Sequence, residues 1–82
     1  MQVPTPSKHS RHPVLTSLGD AIRKRRRELG LSQEQLAERA GLDRSYLGQV
    51  ERGENSIALL PLVNVATALG VSLEQLMGDA RL

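Results

Sequence analysis

The sequence predicts an all-α domain built from about five short helices. Three observations carry that prediction. Aromatic residues make up 1% of the 82-residue chain, with Tyr46 the sole one, so the core must be Leu, Ile, Val and Ala. Such residues suit closely packed helices better than a sheet, which favours β-branched and aromatic side chains. Apolar positions recur at helical spacing, and glycines at 30, 41, 53 and 70 separate the apolar stretches. The helix-start signature Ser-x-x-Gln occurs at residues 32–35 and again at 72–75. A chain of 82 residues has room for one modest core and not for two.

The first helix is expected to open at Ser17, whose hydroxyl can cap, with Asp20 in the first turn where the dipole favours an acid. Leu18, Ile22 and Leu29 fall on its inner stripe, and Gly30 stops it. The second starts at the capping box Ser32-Gln33-Glu34-Gln35, buries Leu36, Ala37 and Ala40, and ends at Gly41. Asp43 is placed to cap the third, which turns Leu47 and Val50 inward and finishes at Gly53. After the loop Glu54-Asn55-Ser56-Ile57 comes a fourth, apolar helix from about Leu59 to Leu69, closed by Gly70. Pro61 fits only in its first turn, where no intrahelical N–H bond is lost. Ser72-Leu73-Glu74-Gln75 reads as a second capping box, opening a short fifth helix through Leu76 and Met77.

Residues 1–14 hold Pro4, Pro6 and Pro13 among polar neighbours and read as a flexible tail, leaving 15–82 as the domain. His9 and His12 have a spacing that invites a metal, but a proline-rich tail holds no rigid face, so no metal is expected. The chain has no cysteine, hence no disulfide, thiolate site or thiol nucleophile. No histidine falls within the expected fold and no glycine-rich phosphate loop appears, so neither an enzyme, a cofactor nor a small-molecule ligand is expected. No apolar run approaches the roughly 20 residues that cross a bilayer. The first residues also lack a secretory apolar segment. A cytoplasmic protein without a membrane partner is the expectation. Net charge is +2 but unevenly spread. Residues 1–30 carry seven Lys or Arg against two acids, and residues 31–82 carry four against seven. A basic side on a nearly neutral molecule suits a polyanion, although alone it is equally a solvated face.

The stretch from Gln33 to Arg52 narrows the reading. Leu36, Ala40, Leu42, Leu47 and Val50 are the positions buried when two short helices cross steeply. Ala37 is small where the pair presses closest, and Gly41 sits where the turn needs positive φ. With these features in place, SQEQLAERAGLDRSYLGQVERG resembles the core of the XRE-type helix-turn-helix family, which includes the lambda-like phage repressors. LLPLVNVATALGVSLEQLM resembles that family's last two helices, so the likeness covers roughly Leu18 to Met77. It implies a compact five-helix, lambda-repressor-like DNA-binding domain with the helix-turn-helix at helices 2–3. The third helix, about Asp43 to Arg52, would then lie in the major groove of double-stranded DNA, a docking known from members of this family.

Projected on a helix, Arg44, Ser45, Gly48, Gln49 and Arg52 lie opposite Leu47 and Val50. Arg44 offers a guanidinium fork for guanine O6 and N7, and Gln49 an amide that matches adenine N6 and N7; Ser45 suits bases or phosphate. Gly48 would let the helix backbone approach the groove, at about 1 kcal/mol of helix stability relative to Ala. Tyr46 has two readings, a DNA contact through its hydroxyl or a ring packed on the neighbouring helix. Gln33, at the start of the second helix, suits a phosphate. The resemblance implies further backbone contacts from Arg52, Asn55 and Ser56, although Glu54 departs from the basic versions of that loop. It also implies a partly buried ion pair, Arg26 with Glu51, that sets the angle of the third helix. One recognition helix sees few base pairs, so a homodimer on a near-palindrome is expected, its two copies about 34 Å apart. Leu76, Met77 and Leu82, with Leu73, are the expected dimer contact, their other reading being core packing. The competing function is a protein-interaction module, an antitoxin or adaptor, on the same scaffold; such a module has no need of Arg44 and Gln49 as base readers.

Overall fold

A computed structural model describes residues 12–82. Its five helices are α1 (Pro13–Glu28), α2 (Gln33–Ala40), α3 (Arg44–Glu51), α4 (Leu59–Ala68) and α5 (Leu73–Asp79). The all-α expectation holds, and there is no strand among the described residues.

α1 starts at Pro13, ahead of the expected cap at Ser17 and of the expected boundary at residue 15. His12 is the reason. Its backbone is extended, and its Nδ1 accepts from the amide of Val14 at 3.1 Å. Pro13 follows at the first helical position, where it has no N–H to lose and its φ already suits a helix. His12 is therefore a helix cap, while His9 lies outside the described residues. Three arginines, 25 to 27, occupy the last turn of α1, where cations favour the dipole. Leu29 was expected on the inner stripe but is exposed, because the chain turns left-handed at Gly30 and Leu31 takes the buried place instead.

α2 opens on the complete capping box. Ser32 Oγ accepts from the Gln35 amide at 3.0 Å, and the Ser32 amide donates to Gln35 Oε1 at 2.8 Å. Only half of that exchange recurs at α5, where Ser72 Oγ accepts from the Gln75 amide at 3.0 Å. Asp43 does precede α3, but its side chain makes no capping bond. Pro61 sits in the first turn of α4, as the missing N–H requires.

Each helix sends one residue with 0% exposure into a common core: Ile22, Leu36, Leu47, Val65 and Leu76. Burying a side chain of this size contributes about 1.5–3 kcal/mol. α1 packs on α3 and α5, α2 on α3 and α4, and α4 on α5. Leu76 is thus core and not the dimer contact expected from the sequence, and Met77 is half-buried against the same cluster. Leu82 is exposed.

Candidate nucleic-acid interface

Two short helices meet at a tight turn. Gly41 adopts φ 70 at the end of α2, a conformation that strains any residue with a Cβ. Its amide bonds back to α2, and the Leu42 amide donates to the Ala37 carbonyl at 2.8 Å, so the chain leaves α2 in a fixed direction. α3 then runs with Leu47 and Val50 buried beneath it. Arg44 and Ser45 are exposed in its first turn, and Gln49, four residues after Ser45, is half-buried on the same side. None of the three is tucked into the core.

The surrounding side chains are paired with one another. Arg26 grips Glu51 with two bonds, Nε to Oε2 at 2.7 Å and Nη2 to Oε1 at 2.9 Å. Its Nη1 donates to the Leu31 carbonyl at 2.9 Å. Gln33 Nε2 also donates to Glu51 Oε1, at 3.0 Å. One buried carboxylate therefore joins α1, the start of α2 and the end of α3. A fork-to-carboxylate pair in which the third guanidinium nitrogen is also hydrogen-bonded has the geometry in which a buried charge is tolerable.

Gly48, Tyr46 and Arg52 each have close neighbours within the protein. Gly48 is buried, and a Cβ there would lie 3.1 Å from Arg52 Nη1 and 3.6 Å from Gln33 Oε1. Its missing side chain makes room for these two side chains to converge over α3. Tyr46 packs against the core, and its hydroxyl donates to the Ser56 carbonyl at 3.0 Å, which favours the packing alternative. Arg52 Nε donates to Glu54 Oε2 at 3.0 Å, so the acid that departs from the basic loop pattern pairs with the arginine beside it. Asn55 Nδ2 donates to Gln49 Oε1 at 3.2 Å, and Ser56 is exposed.

Two glycines have packing roles that the sequence did not signal. Gly19 lies where α1 meets the end of α3, and a Cβ there would collide with the carbonyl oxygens of Val50 and Glu51. Gly53 has φ +72, and its Cβ position is 2.9 Å from Thr16 Cα. A glycine inside a helical pattern looks like a propensity penalty until the facing backbone is known. On α4, Leu59, Leu60 and Val63 are exposed by 64%, 75% and 37%, an apolar face at helical spacing that the sequence reading did not single out.

A tight glycine turn between two eight-residue helices, the second with a polar outer face, defines a helix-turn-helix domain. Residues 22–76 match the HTH_3 model, the helix-turn-helix family, and the chain belongs to that family, of the XRE-type class of DNA-binding transcription regulators. It is 45% identical over 60 residues to control protein C.SmaI of Serratia marcescens, spanning 73% of this chain and 71% of that protein. The crystal structure of the restriction-modification controller protein C.AhdI from Aeromonas hydrophila is similar with a TM-score of 0.77. That likeness has 43% identity and covers 79% of this chain and 98% of C.AhdI. SinR, a master regulator for biofilm formation solved in complex with DNA, is similar with a TM-score of 0.70. It is 36% identical, over 73% of this chain and 97% of the SinR chain.

Proposed function

We propose that this regulator reads a specific double-stranded DNA site as a homodimer, with α3 in the major groove of each half-site. The observation that carries the reading is the shared outward face of Arg44, Ser45 and Gln49 on a helix braced from below. Arg44 reads guanine through its fork, Gln49 reads adenine through its amide, and Ser45 contacts a base or phosphate. The DNA-bound SinR structure supports this use of the fold.

Gln33, Arg52 and Ser56 hold the phosphate backbone in this reading. The α2 capping box occupies the amides of Ser32 and Gln35, leaving those of Gln33 and Glu34 for an anion at the helix start. Arg52 is partly exposed in its pair with Glu54, and such a pair is worth only about 0–1 kcal/mol, so a phosphate competes for the guanidinium at little cost.

The dimer contact is assigned to the α4 face of Leu59, Leu60 and Val63, with a second copy of the chain as its occupant. Large apolar side chains clustered this openly mark association surfaces. A twofold pair of short recognition helices then reads two half-sites about 34 Å apart. The reading places the chain in the cytoplasm and gives it no catalytic role. An adaptor on the same scaffold would leave the Arg44 and Gln49 pair without purpose.

Selection of bound fragments from a random duplex pool, at a stated salt concentration, tests the proposal. The expected outcome is a near-palindrome. Arg44→Ala should then lose about 1–3 kcal/mol on the selected duplex and relax one base pair per half-site. Equal weakening on every duplex would show Arg44 to be a phosphate contact and remove the main base reader.

A further inference from the structure

We infer that Asn55 is a specificity-determining residue that itself touches no base: it fixes the amide of Gln49 and thereby selects the base Gln49 accepts. The inference rests on the reading of α3 given above. Its starting point is the bond from Asn55 Nδ2 to Gln49 Oε1, 3.2 Å long.

A glutamine amide has two ends of opposite character, an oxygen that accepts and an NH2 that donates. On a freely rotating side chain the two ends exchange places, and the base preference blurs with them. With the Asn55 N–H directed at Oε1, turning the Gln49 amide over would bring two NH2 groups face to face. The two amides are thereby coupled, and with Nδ2 as the end Asn55 presents, one orientation of Gln49 is selected. In it, Oε1 keeps a second lone pair and Nε2 keeps both hydrogens, the acceptor and donor that adenine N6 and N7 require.

The device works only if the backbone that carries Asn55 is held, and the loop on either side of it is. The Gly53 amide donates to the Val50 carbonyl at 3.0 Å, and the Glu54 amide to the Gln49 carbonyl at 2.9 Å. Glu54 also accepts from Arg52, and the Ser56 carbonyl accepts from the Tyr46 hydroxyl. Gly53 presses on Thr16 of α1 with no space for a Cβ. Both neighbours of Asn55 are thus tied to α3, so Asn55 moves with the helix whose side chain it orients. Tyr46 gains a second purpose here: it holds the loop that holds Asn55.

The test uses the full chain and the same random duplex pool, followed by binding to the selected duplex and its single-base-pair variants. Asn55→Ala should reduce discrimination about tenfold at the base pair read by Gln49, with the other positions and the salt slope unchanged. Asn55→Asp is matched in shape but presents only acceptors, so it should draw Nε2 inward and leave Oε1 facing the groove. With acceptor and donor exchanged in place, preference for adenine at that one base pair should then fall. In a Gln49→Ala background, Asn55→Ala should change no base preference at all. Circular dichroism and melting of each variant establish that the fold is retained. Uniform weakening on all duplexes with a shallower salt slope would make Asn55 a phosphate contact and overturn the inference. So would an equal effect of Asn55→Ala with and without Gln49. Should Gln49→Ala alone leave every base preference intact, the reading of α3 fails, and this inference with it.

Discussion

Glu51 is 1% exposed and accepts three hydrogen bonds, two from Arg26 and one from Gln33. Replacing it leaves a buried guanidinium without its counter-charge. Glu51→Gln should cost about 3–5 kcal/mol, the penalty for removing one partner of a buried pair. In a domain of this size that lowers the melting temperature by roughly 12 °C or more, measurable by circular dichroism. Arg26→Met with Glu51→Leu should recover most of the loss, because neither charge is then buried. A Glu51→Gln melt within a degree or two of wild type would mean that the pair does not brace α3. The pair was legible through the family pattern, since Arg26 and Glu51 stand at matching positions. The engagement of Gln33 was not, because an amide at a helix start looks the same whether it points outward or back to a carboxylate.

At the scale of elements, the information divides between what a helix does alone and what it does to its neighbour. The capping box at Ser32 and the left-handed glycine at 41 are local devices, and both stood in the sequence at their own positions. α1 was placed less well, because histidine is an uncommon cap and Pro13 counted as one more tail residue. The α1–α3 crossing was illegible, since nothing near Gly19 in the sequence announces the carbonyls of Val50 and Glu51. Gly19→Ala should force the helices apart and cost about 1–3 kcal/mol, as overpacking does. Helix propensity alone predicts the opposite sign, a gain of about 1 kcal/mol. A urea midpoint above that of wild type would therefore show that α1 can shift without penalty.

Over the whole molecule the distinction is between core and exposed apolar face. Leu76 and Leu60 look alike in sequence, yet one is 0% exposed and the other 75%. Leu76→Ala should cost about 2–5 kcal/mol of folding stability, read from the melt. Leu60→Lys should leave the melt of the isolated fold nearly unchanged and convert the protein to a monomer in sedimentation equilibrium. Its binding to a single half-site should persist while affinity for the full near-palindrome falls. A Leu60→Lys protein that remains dimeric would move the contact off α4. No described helix is long and apolar enough to cross a membrane, and the apolar content of α4 is divided between core and exposed face instead.

The helices, their stops, the inward stripe of α3 and the family were set by the chain's own residues, because periodicity, caps and turn glycines act over a few positions. The partners of Gln33, Gln49 and Tyr46 were decided only when α1, α2, α3 and the following loop came together. So were the need for Gly19 and the exposure of Leu60. Each depends on atoms brought into contact by packing from other parts of the chain, and one-dimensional spacing does not encode which neighbour a side chain will meet.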